Sequence, residues 1–199
     1  MYKLLGRKTS GNVQKVLFML GELGVPFERL DYGRQYENTA TPEYKALNPT
    51  SKVPTLVDGE TTIWESNTIL RYLAAKERPA LTGATPAECT EVERWMDFLL
   101  AAVNPGYMAA FKGAKLTPEE QTAEYKEQTK DLGAQMAIID GHLAGKDFLA
   151  LGKLTIADIA LAPIMKRCLD FKIERKAMAN LERWMASIAG RDAFKAATA

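Results

Sequence analysis

A change of hydrophobic period near residue 80 constrains this chain more than any other feature. Before it, short strand-like runs alternate with helical ones; after it, every apolar stripe is helical. Strands read over 2–5 and, more weakly, over 27–30. From Asn12, Val13, Val16, Leu17, Leu20 and Leu23 fall at helical spacing, and Gly24 with Pro26 ends that helix. The polar stretch 31–42 reads as a loop with at most one turn of helix. Residues 55–57 and 61–63 flank Asp58-Gly59, a hairpin signature, and a helix follows over about 66–76. The first part therefore has the order βαβ, a helical segment, then ββα. Prolines and Thr82-Gly83 across 78–86 mark a linker. Beyond it, Val92, Trp95, Met96, Leu99, Leu100 and Val103 form a stripe that Asn104-Pro105-Gly106 interrupts. Two more stripes run through Tyr125–Leu143 and Leu181–Ile188, so this part reads as a helical bundle. The expected organisation is α/β plus all-α, with domains at 1–78 and 87–199.

Composition narrows the function classes. With 26 basic and 25 acidic side chains among 199 residues, the net charge is +1. No global field draws such a chain to nucleic acid or an anionic membrane. No apolar run approaches the ~20 residues of a membrane span, and the N-terminus lacks the apolar core of a signal peptide, so a cytosolic protein is expected. Two cysteines, Cys89 and Cys168, and one histidine, His142, offer neither a disulfide framework nor a metal site. Both cysteines read as small, at least half-buried side chains. His142 sits where it can meet a helix's last carbonyls.

Four short motifs carry chemistry. Val53-Pro54 stands just before a strand, where a proline is tolerated. A trans bond there is an ordinary strand start. A cis bond would turn the N–H and C=O of Val53 outward, to pair with an extended peptide as an added strand. Glu65-Ser66 lies where the hairpin meets a helix. Ser66 either simply caps that helix or, with the exposed N–H groups, holds a carboxylate while Glu65 meets an ammonium group. A free amino-acid head carries both charges. Ser10, in Thr9-Ser10-Gly11-Asn12, either caps the first helix or donates its hydroxyl to a thiolate there. Thr155-Ile156-Ala157-Asp158 has the pattern of a capping box.

In their order and spacing these motifs resemble the glutathione transferase family, over most of the chain. The resemblance implies a thioredoxin-like first domain (βαβαββα) and a homodimer. It also implies that Pro54 is cis and that Val53 pairs with the cysteinyl part of glutathione. Glu65 and Ser66 would receive the γ-glutamyl head, and Lys52 the glycyl carboxylate. Ser10 matches the activating serine of the theta-like and many bacterial branches; Asn12 is a second candidate and Lys15 a weaker one. An electrophile pocket is expected between the domains, with Tyr107, Met108 and Phe111 on one wall and Tyr36 opposite. Departures are informative. The tyrosine of several branches has no counterpart, and no cysteine precedes Cys89, which disfavours the cysteine-based branches. The implied function is transfer of glutathione sulfur to an apolar electrophile. The alternatives are a glutathione-dependent reductase or peroxidase, and a non-catalytic interaction protein on the same scaffold.

Overall fold

The computed structural model describes residues 1–199. It divides into two compact units, 1–82 with 189–199, and 83–188.

The first unit is built on four short strands: β1 (Tyr2–Leu5), β2 (Phe27–Leu30), β3 (Thr55–Asp58) and β4 (Thr61–Trp64), in the order β2-β1-β3-β4. β2 runs parallel to β1, whereas β3 and β4 are antiparallel to their neighbours. Between β1 and β2 lies α1 (Gly11–Leu23). It ends where Gly24 takes the left-handed conformation at φ +67 and returns its N–H to Leu20 and Gly21, a turn that glycine adopts without steric cost. The polar stretch 31–42 is the expected loop with one turn of helix. A single 3-10 turn spans Arg34–Tyr36, and α2 (Pro42–Leu47) follows, capped by the Thr41 side chain. α3 (Ser66–Glu77) closes the βαβαββα order.

The second unit is all helical: α4 (Pro86–Phe98), α5 (Asn104–Lys112), α6 (Ala123–His142), α7 (Ile156–Asp170) and α8 (Ala179–Ala189). Asn104-Pro105-Gly106 does not break the chain into a loop. A wide π turn at Leu99–Val103 joins α4 to α5 and carries Pro105 into the first turn of α5, where its missing N–H costs nothing. Gly106 allows α5 and α6 to approach closely, since a Cβ there would lie 2.7 Å from the Gln128 carbonyl. α7 is buried from Ile156 through Met165, the pattern of a central core helix. Its start has the expected capping box. Asp158 is fully buried and accepts four hydrogen bonds, from Leu149 N, Trp184 Nε1, Thr155 N and Thr155 Oγ1, at 2.9–3.0 Å. His142 meets the Leu149 carbonyl at 2.8 Å, beyond the end of its own helix.

The last helix, α9 (Asp192–Thr198), departs from the expected 87–199 domain: it packs on α1, within the first unit. Its Phe194 ring meets Phe18 edge-on at 5.1 Å, and a side chain at Gly21 would strike Ala193. Arg191 holds Glu22 through two hydrogen bonds of 2.6 and 2.7 Å. The apolar residues of this short helix complete the cover of α1, a long-range contact that hydrophobic period does not encode.

Candidate functional site

One rung of the sheet gathers the site. Leu5 of β1 pairs with Thr55 of β3, and Thr55 pairs with Trp64 of β4. The residues after Leu5, before Thr55 and after Trp64 therefore all leave the sheet at the same end. Leu30 of β2 pairs with Leu5, so the loop after β2 joins them. This single register brings together Ser10, Asn12, Lys52, Val53, Pro54, Glu65 and Ser66, which are scattered over more than fifty positions of the sequence.

The Val53–Pro54 bond is cis. β3 begins only at Thr55, so the Val53 N–H and C=O pair with no strand. A buried network missed in the sequence reading fixes the loop from beneath. Tyr44 Oη donates to the Lys52 carbonyl at 2.6 Å, and Asn48 Nδ2 donates to the same oxygen at 2.9 Å. Both also meet Thr55 Oγ1, at 2.9 and 3.0 Å. Asn48 Oδ1 in turn accepts from the Thr50 N–H and hydroxyl. Across a planar trans peptide the C=O and N–H point in opposite directions. With the Lys52 carbonyl held inward, the Val53 N–H is aimed outward, away from the network. The sequence signal for this was a tyrosine and an asparagine in a helix of six residues, Pro42–Leu47, and its C-cap.

The starts of α1 and α3 stand side by side. Ser66 Oγ donates to Asn12 Oδ1 at 3.4 Å. Ser66 is the first helical residue rather than the cap. Glu65 takes the cap position with φ +66, a left-handed conformation rare outside glycine. The opening N–H groups of α3 have no acceptor within the helix, as at any helix start. Ser10 sits at the cap position of α1 in extended conformation, yet its side chain makes no capping hydrogen bond. It is 8% exposed. A hydroxyl is thus held at a helix N-terminus with its donor uncommitted to the backbone.

Lys15, one turn into α1, is only 1% exposed. Burial lowers its amine to about 7, against a smaller opposing pull from Glu65. Lys52 lies exposed. Tyr36, on the 3-10 turn after β2, is 40% exposed. In the other unit, Tyr107 is buried with its ring 6.1 Å from Phe111 and 6.0 Å from Phe171. Met108 and Phe111 are half-buried on the same helix. Neither cysteine belongs to this site. Cys89 is half-buried with its sulfur toward the Gly83 carbonyl, and burial pushes the Cys168 thiol up to about 12. No group of three or more His, Cys, Asp or Glu side chains is placed to hold a metal ion. No helix is long and apolar enough to cross a membrane.

Comparison with known proteins points to one family. Residues 9–76 match the model of the glutathione S-transferase N-terminal domain, and residues 96–192 that of the C-terminal domain. Glutathione S-transferase GstB of Escherichia coli K12 is 32% identical over 98% of this chain and 96% of its own length. Glutathione S-transferase 4 of Zea mays is 30% identical over 96% of this chain and 89% of its own. Among solved structures, a theta class glutathione S-transferase from Xanthomonas axonopodis pv. citri, with glutathione bound, superposes with a TM-score of 0.91. It shares 34% identity over 99% of this chain and 96% of that one. Ure2p in complex with glutathione has the same fold, with a TM-score of 0.89 at 24% identity over 99% of this chain and 93% of its own.

Proposed function

Because this chain belongs to the glutathione S-transferase family, we propose that it binds glutathione at the sheet end described above and transfers its sulfur to an apolar electrophile. The observation that carries the reading is the outward N–H of Val53, flanked by the starts of α1 and α3. The tripeptide lies extended along Val53 as an added strand. Its γ-glutamyl carboxylate meets Ser66 and the first N–H groups of α3, and its ammonium meets Glu65. Its glycyl carboxylate reaches Lys52. These placements leave the sulfur beside Ser10.

The chemistry needs a thiolate. A cysteine-like thiol has pKa ~8.5, so only ~3% is ionised at pH 7. Lowering the pKa by two units takes ~2.7 kcal/mol. A hydrogen bond to a charged group contributes ~1.5–3 kcal/mol, and a helix N-terminus ~0.3–1 kcal/mol. The Ser10 hydroxyl and the start of α1 together supply ~1.8–4 kcal/mol, a range that brackets the requirement. Serine acts as a donor, with Asn12 a second candidate; the thiol proton leaves to water. The thiolate then attacks the electrophilic carbon, the new C–S bond forms, and the leaving group departs with its electron pair.

For the acceptor we assign apolar contacts to Met108, Phe111 and Tyr107, which share α5. Substitution of Phe111 by alanine is expected to raise KM for an aryl halide and leave the glutathione KM unchanged. The absence of any cysteine before Cys89 means that disulfide or peroxide reduction, the second reading, would also run on the ligand's sulfur. Retention on immobilised glutathione followed by an aryl-halide assay tests the proposal. Turnover of disulfides or peroxides alone favours the second reading, and no retention favours an interaction protein. A homodimer completes the reading, and light scattering reports it directly.

A further inference from the structure

Lysine is among the side chains least often fully buried, and then it is normally paired. Lys15 is 1% exposed, and its amine makes no hydrogen bond or ion pair. Helical side chains lean toward the N-terminus, over the residues three and four positions earlier. For Lys15 those residues are Asn12 and Gly11, at the start of α1. Asn12 meets Ser66, the neighbour of Glu65, and Glu65 is the one charge that acts on Lys15. The other charged groups on the elements packed against α1 are engaged elsewhere. On α9, Lys195 faces Asp192; Arg191, just before it, holds Glu22; on α3, Lys76 is bonded to Asp58 and Arg71 has its own partner.

Resting on the glutathione-site reading, we propose that Lys15 is a positioning residue: a largely buried amine near the start of α1 that takes up a proton from solvent when the anionic tripeptide arrives. The balance is simple. A neutral amine gains one proton and becomes an ammonium ion, and no covalent bond of the ligand changes. The ammonium then holds the Glu65 carboxylate and the ligand's net negative charge in one field. Burial favours the neutral amine in the free protein, and an approaching anion favours the charged form. The low value of its amine, about 7, places this exchange in the neutral range.

S-methylglutathione isolates the effect, because it has no thiol proton to lose. Titration calorimetry in buffers of differing ionisation enthalpy, between pH 6.5 and 8, reads protons exchanged on binding. Wild-type protein is expected to take up about half a proton near pH 7, and its affinity to fall as pH rises. Lys15→Met should show no uptake and a flatter affinity profile. The difference between the two cancels the ligand's own titration. If Lys15→Met does not fold, Lys15→Arg serves in its place, since its permanent charge also abolishes uptake. Equal uptake in wild type and variant overturns the proposal while leaving the glutathione site intact. Failure of the wild type to bind S-methylglutathione overturns the site reading, and this inference with it.

Discussion

The starts of α1 and α7 obey the same local grammar and use it in opposite ways. Each is preceded by a hydroxyl residue in extended conformation, Ser10 at φ −83 and Thr155 at φ −131. At α7 the grammar is completed. Thr155 and Asp158 satisfy one another, and Asp158 also collects Leu149 and Trp184. At α1 it is left open, for Ser10 makes no cap bond and a lysine is buried five residues on without a partner. A closed helix start stabilises the fold; an open one keeps donors and charge in reserve for a ligand. Local rules that go unused mark the place where a protein meets something else.

Substitutions can sharpen or break that contrast. The largest effect is expected for Asp158→Ala, which strands buried donors and should cost about 3–5 kcal/mol in urea unfolding. A loss under 1 kcal/mol would deny α7 its closed cap. Next comes Lys15→Met, which should stabilise the protein by about 1–4 kcal/mol by removing a desolvated amine. Its pH dependence gives the sign. The folded amine sits at about 7 against an ordinary 10.5, so across that window the unfolded chain holds the extra proton. Wild-type stability therefore climbs with pH from about 7 to 10.5 through this group, and the variant should lose that slope. Ser10→Ala should raise the bound thiol's pKa by about one to two units, read from thiolate absorbance. Its unfolding free energy should move by no more than about 0.5 kcal/mol. A stability loss of ordinary capping size would erase the distinction between the two starts. The smallest effect is expected for Tyr44→Phe, which removes one of two donors to the Lys52 carbonyl and should weaken tripeptide affinity by about 1 kcal/mol.

What was legible in the sequence follows the range of the forces involved. The Thr155–Asp158 box is four residues long, so its chemistry is complete in the sequence. The Val53-Pro54 and Glu65-Ser66 pairs could be placed because each abuts a strand whose period is visible. Ser66 was legible as a helix start, but whether it or Glu65 took the cap position depended on backbone geometry. Tyr44, Asn48 and Thr55 escaped, since they act on Lys52 through a loop and their types are common in loops generally. Lys15 was visible only as a weak candidate. Its one signal, a charge within the apolar run 13–20, gains meaning only once α3 and α9 cover the helix. The π turn at Leu99–Val103 likewise reconciles Pro105 with a continuous helix in a way that residue propensities do not forecast.

The return of α9 to α1 has a consequence for biosynthesis. Ser10 and Lys15 precede by more than 170 residues the helix of residues 192–198 that packs on α1. Residues 83–188 can fold as soon as they are made, whereas α1 must wait for a segment that lies beyond that whole unit in the sequence. Cover of α1 thus depends on residues 192–198, and truncation at 188 should leave helices without tripeptide affinity. Full affinity in such a truncated chain would show that the early segment matures alone.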